Sequence, residues 1–250
     1  MEAVVRLEEV EPSIAQVTME DRVNKNTFSR PLLQGLFDAF DAIEANPQYK
    51  AVILTGYGSY FASGGTKEGL LAIQEGKANF TDGRRNVYSL ALDCSIPVIA
   101  AMQGHGIGGG FVIGLFADVV ILGRECVYTT NFMNYGFTPG MGATYIMPRK
   151  LGVALAEEML LSGGSYRGAE LEKRGIPFTV TARNDVLASA YAIARSIAEK
   201  PRPSLVMLKN HLVRSLRAEL PPFIQQEVAM HEQTFPHAEV KERIQSLYGR

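Results

Sequence analysis

A chain of 250 residues with 46% hydrophobic and 20% charged residues suits one sizeable α/β body that buries its own core. Its formal net charge of −1 gives no overall pull toward nucleic acid or an anionic membrane. Two cysteines, Cys94 and Cys126, are too few for a disulfide framework, and the acidic start lacks the apolar segment of a secretory signal, so a cytoplasmic protein is expected.

The alternation of apolar and polar residues over 14–19 predicts a first strand. A polar loop follows at Asn24-Lys25-Asn26-Thr27-Phe28, and Ser29 is placed to cap a helix with Pro31 in its first turn. Leu32, Leu36, Phe40 and Ile43 recur at helical spacing until Asn46-Pro47. Residues 51–55 form a short apolar strand that runs into Phe61-Ala62-Ser63-Gly64-Gly65-Thr66. Within the stretch 67–88, residues 76–86 read as polar, basic and turn-rich, a mobile wall beside that glycine turn.

A second buried strand at 97–101 leads into His105-Gly106-Ile107-Gly108-Gly109-Gly110, then a small-residue helix at 108–116 and a strand at 118–122. The apolar run over 96–122 is broken by His105, Asp118 and glycines, so it fails as a membrane span. Strand, turn, helix and strand in this rhythm predict parallel pairing with right-handed crossovers. Helices are expected at 154–161, 169–175 and 185–197, and after the Pro201-Arg202-Pro203 break at 204–217 and 221–235. Such a helical tail covers an α/β body or builds an oligomer interface. Cys94 and Cys126 sit in apolar surroundings as inert core thiols.

Each glycine turn follows a strand and opens a helix, so each can present a backbone N–H group. Two such donors aimed at one oxygen make an oxyanion hole. Together with Thr138-Pro139-Gly140-Met141-Gly142, the turns and their spacing resemble the crotonase (enoyl-CoA hydratase/isomerase) superfamily. The resemblance implies an α/β fold, a spiral of ββα repeats over residues 1–200, and a helical trimerisation region at 201–250. It makes the N–H groups of Gly65 and Gly109 the donors to a thioester enolate.

Hydratases of that superfamily carry two glutamates; the matching positions here are Val112 and Phe132, which cannot activate water. An enolate hole without that base suits decarboxylation, because departing CO2 leaves its electron pair behind. Leu92-Asp93-Cys94-Ser95-Ile96-Pro97, Thr130-Asn131-Phe132-Met133-Asn134-Tyr135 and Ser165-Tyr166-Arg167-Gly168 resemble decarboxylases of polyketide β-branching, which act on 3-methylglutaconyl carried by an acyl carrier protein.

By that resemblance His231 handles the proton and a loop lysine handles the carboxylate. The expected lysine position holds Asn79, and Lys77 lies two residues earlier, so either serves. Asn131, Phe132 and Tyr135 are expected to line the substrate pocket, His105 to shape its glycine turn, and Lys77, Arg84 and Arg85 to offer an acidic carrier a basic landing patch. No cofactor is implied, since phosphopantetheine arrives on the carrier. An enoyl thioester isomerase and a silent carrier-docking trimer remain the alternatives.

Overall fold

The computed structural model describes residues 3–78 and 86–249. Its body is a spiral of strand–strand–helix units, as the family resemblance implies. The units are β3 (Ala51–Thr55), β4 (Tyr60–Ala62) and α2 (Lys67–Gln74); then β5 (Val98–Met102), β6 (His105–Ile107) and α4 (Gly109–Leu115). A third runs through β7 (Val119–Gly123), β8 (Val127–Thr129) and α5 (Ala143–Leu151), and α3 (Leu90–Asp93) lies between the first two. In each unit the first strand joins a six-stranded sheet and the second joins a four-stranded one.

The large sheet opens with an antiparallel hairpin of β1 (Val5–Glu11) and β2 (Ile14–Met19). β2, β3, β5, β7 and β10 (Thr179–Thr181) then pair in parallel. β4, β6 and β8 are parallel in the small sheet, with β9 (Ser165–Arg167) antiparallel at its edge. Because β4 pairs directly with β6, the two glycine turns that follow them lie side by side.

α1 (Arg30–Ala45) starts where expected: Ser29 Oγ accepts from the Leu32 N–H at 3.3 Å, and Leu32, Leu36, Phe40 and Ile43 form its buried stripe. α8 (Val186–Ala198) covers one face of the large sheet with Val186, Ala190 and Ala194 packed on Ile53, Ile99 and Ile121. α6 (Val153–Ser162) and α7 (Gly168–Lys173) complete the body.

Three expectations change. β1 pairs despite its charges, because an edge strand keeps one face in water. Residues 67–74 form a helix that the sequence pattern does not give, capped by Thr66 Oγ1 accepting from the Gly69 N–H at 3.0 Å. Residues 79–85 of the expected polar wall lie outside the described residues. The two tail helices are one, α9 (Arg202–Thr234), which passes through Pro221-Pro222; buried Val213 and Leu220 below, and Glu227 and His231 above, hold both halves to the body. A last helix, α10 (Ala238–Leu247), packs on α2. Among the described residues no helix is long and apolar enough to cross a membrane.

Candidate active site

Backbone hydrogen bonds fix where the two glycine N–H groups point. In a planar trans peptide the C=O and N–H lie on opposite edges. The Gly64 carbonyl accepts from the Phe28 N–H at 2.7 Å, which turns the Gly65 N–H the other way, toward the cavity. The Gly108 carbonyl accepts from the N–H groups of Phe111 and Val112 at 3.1 and 3.3 Å, so the Gly109 N–H likewise faces out of its helix.

Gly64 and Gly108 reach these orientations at φ of +73° and +54°, where a side chain would be strained. The turns also touch: a Cβ on Gly64 would fall 3.1 Å from the Gly109 nitrogen. The two donors therefore share one small volume.

That volume opens into a cavity of about 580 Å³. Asn131, Phe132, Tyr135, Phe137, Met141 and Tyr248 form one group of its lining residues, and Tyr60 and His105 belong to another. Tyr135 stacks on Phe137 at 5.9 Å, making an aromatic wall. The Tyr248 hydroxyl donates to the Gly65 carbonyl at 2.8 Å, so the end of the chain grips the first glycine turn. Burial pushes that phenol up to about 12, which keeps the donor protonated.

Phe132 lines the cavity and is buried; Val112 is buried in α4 without reaching the lining. Glu68 is the one carboxylate among the described lining residues, and it is exposed. Among the described residues, no buried carboxylate stands beside the two N–H groups to activate water there. A charge developing on a thioester oxygen would meet two fixed dipoles in an apolar setting, where such interactions are strongest.

The other expected residues are placed as follows. Asn131 and Tyr135 line the cavity with Phe132. His105 lines it too: its Nδ1 accepts from the Val127 N–H at 2.9 Å, leaving Nε2 to carry the proton. Burial first, then Arg183 and Arg167, lower the basicity of that imidazole. His231, on α9, is buried one layer behind the wall. Its Nε2 donates to the Thr138 carbonyl at 2.8 Å and its ring stands edge-on to Phe137 and Phe235.

Lys77 is 71% exposed and bound to Glu75 at 2.6 Å, away from the lining residues. Glu75 also holds Lys241 of α10 at 3.0 Å, and the two ammonium groups pull its carboxyl down to about 2. Asn79, Arg84 and Arg85 lie outside the described residues.

Two site-forming residues carry no local sequence signal. Tyr248 is one. The other is buried Glu227, whose Oε2 accepts from the Gly142 N–H at 2.7 Å and whose Oε1 accepts from the Thr144 N–H and hydroxyl at 2.9 and 2.6 Å. It anchors the turn that brings Met141 to the cavity, and desolvation raises its pKa.

Burial also lowers the basicity of His231, against the Thr138 and Pro139 carbonyls, which favour its charged form. The unfolded chain then takes up a proton first, near the ordinary value of 6.5, so stability falls as pH drops below that value and is unaffected above it. Urea midpoints of the parent and His231→Gln, which keeps an N–H for Thr138, are expected to diverge between about pH 7 and about pH 5.5, the parent losing more. A gap that stays constant with pH would refute this.

A family model described as enoyl-CoA hydratase/isomerase matches residues 9–249. The bacillaene synthase decarboxylase PksI of Bacillus subtilis is 66% identical over 99% of this chain and 98% of its own. A solved structure from a dehydratase/decarboxylase enzyme couple involved in polyketide beta-branching superposes with a TM-score of 0.97 at 66% identity, covering 99% of this chain and all of that one. The ECH2 decarboxylase domain of CurF from Lyngbya majuscula gives 0.93 at 47% identity, covering 98% and 99%.

Proposed function

The chain belongs to the enoyl-CoA hydratase/isomerase family, and from that premise we propose that it decarboxylates 3-methylglutaconyl thioester on an acyl carrier protein. It is a decarboxylase of polyketide β-branching: its relatives at 66% and 47% identity are decarboxylases, and the solved structure at 66% identity comes from a β-branching enzyme couple. One observation carries the reaction type: the two glycine turns open side by side on a cavity where, among the described residues, apolar Phe132 and no buried carboxylate lies beside them.

The thioester oxygen lodges between the Gly65 and Gly109 N–H groups. The bond from the terminal carboxylate to the γ-carbon breaks, CO2 leaves, and its electron pair spreads through the conjugated system onto that oxygen. Only interactions that strengthen as this charge arrives speed the step. A proton then adds to the γ-carbon and gives 3-methylcrotonyl thioester.

His231 is the proposed proton carrier. Its Nε2 bears a proton, held on the Thr138 carbonyl, and delivery requires the Phe137 side chain to move aside. Lys77, on exchanging Glu75 for substrate, or Asn79 holds the departing carboxylate.

The proposed assembly is a homotrimer. Met207, Leu208 and Leu212 support it, standing 75%, 56% and 64% exposed on the first half of α9 as an apolar strip that a second copy would cover.

Mass spectrometry of carrier-bound 3-methylglutaconyl after incubation is the direct test. The expected change is loss of the mass of CO2. A gain of water, or no change, would overturn the reading.

A further inference from the structure

Three cations surround one edge of the cavity, and among the described residues none of them has a carboxylate in ion-pair contact. Arg22 lays its guanidinium 3.9 Å from the Tyr57 ring centroid and donates to the Tyr57 hydroxyl at 2.8 Å. Arg183 reaches the same turn from the other side, donating to the Gly58 carbonyl and Ser59 Oγ. Lys25 Nζ stands 5.4 Å above the Tyr60 ring, and Lys25 and Tyr60 both line the cavity.

Among the described residues none of the three forms an ion pair, whereas Arg6, Arg124, Arg149, Arg174, Arg195 and Arg243 each bind a glutamate. Glu125 accepts from the backbone N–H of Arg183 at 2.8 Å and feels the Arg183 charge, while the guanidinium makes its hydrogen bonds to the turn. The positive field is felt inside, where Arg183 and Arg167 add to the burial that holds His105 neutral.

The rim is also rigid. Asn26 Nδ2 donates to the carbonyls of Met19 and Phe61, both at 3.0 Å, and its Oδ1 accepts from the Asp21 N–H at 2.8 Å. Ser63 Oγ donates to the Lys25 carbonyl at 2.6 Å, tying the rim to the first glycine turn. At its tip, between the two cations, Val23 is 88% exposed.

The geometry points to the loop from Arg22 to Lys25, with Arg183, as the docking surface for the acidic carrier protein, an inference that rests on the reaction proposed above. A single phosphate would want donors converging on one point. Here three separately anchored cations spread around a turn with an apolar residue among them. That arrangement matches a protein surface bearing several carboxylates and an apolar contact. A carrier seated there delivers its thioester arm past Tyr60 and His105 toward Gly65 and Gly109. The landing site thus lies at Arg22, Lys25 and Arg183.

The test uses Arg22→Glu combined with Arg183→Glu, neither residue lining the cavity, and three 3-methylglutaconyl thioesters: on the carrier, on coenzyme A and on pantetheine. The expected result is a rise of roughly tenfold or more in KM for the carrier substrate alone, with kcat kept. Added salt should raise the parent's KM toward that of the variant. An equal rise with the coenzyme A thioester would make the patch a phosphate site and overturn carrier docking. An equal loss with the pantetheine thioester, or an unchanged carrier KM, would overturn it too. Absence of CO2 release by the parent from any of the three would instead refute the reaction itself.

Discussion

Gly109→Pro is expected to slow decarboxylation by roughly 10²–10³-fold, about 3–4 kcal/mol of lost transition-state stabilisation, while leaving the protein folded. Gly109 is the first residue of α4, where the helix makes no use of its N–H and a proline's fixed φ fits. The substitution therefore removes the donor that matters to the enolate and none that the helix needs. A side chain there would meet the Met141 thioether at 2.4 Å and the Phe28 ring at 2.9 Å.

Crowding alone could slow the enzyme, so Gly109→Ala is the control: it brings the same Cβ but keeps the N–H. Single-turnover rates at saturating substrate should separate the two variants by at least tenfold. Such a pattern marks an interaction made in the transition state and not in the bound ground state. Equal rates in the two variants would show that the Gly109 N–H is not a donor to the reaction.

Gly109 stands out in the sequence as a candidate donor because glycine's backbone freedom leaves a visible trace. Gly64 and Gly108 stand at positive φ and Gly110 packs against the Ala62 carbonyl, so other residues are disfavoured at all three. The stripe of α1 was visible for a similar reason, since one face of a helix on a sheet must be apolar.

What escaped was short or non-local. β4, β6, β8 and β9 have three residues each, too few for any period, yet their pairing is what sets the two glycine turns together. Pro221-Pro222 is a strong local stop signal, and packing along α9 overrode it. Glu227 and Tyr248 read as ordinary tail residues, because their partners lie 85 and 183 positions away in the chain. The position of His231 behind Phe137 likewise depends on how α9 crosses the turn at Gly140, which no spacing encodes.

Lys209→Met should destabilise the protein by about 3–5 kcal/mol, a large share of the stability of a single domain. Lysine in the middle of a helix usually signals a wet face, but Lys209 is 2% exposed. Its ammonium donates to the carbonyls of Ala91 and Ile96 and meets Asp118 Oδ2, each at 2.8 Å. Asp118 Oδ2 also accepts from the Val98 N–H at 2.7 Å, at the first residue of β5.

Methionine fills most of the same volume, so little cavity forms. What remains is two carbonyls without their donor and a partly buried carboxylate without its cation. Lys150 does not replace it: its ammonium is bound to the Ala117 carbonyl, and burial already lowers its basicity.

Urea unfolding of Lys209→Met, Asp118→Asn and the double variant measures the pair. The double variant should be more stable than the sum of the single losses implies, because the second change removes the charge that the first one strands. A loss under about 1 kcal/mol for Lys209→Met would place the ammonium among weak surface contacts instead. The site depends on the result, since β5 leads through β6 to the Gly109 turn. Loosening the start of β5 should lower the midpoint of unfolding first, and blunt the enolate hole only as the fold itself gives way.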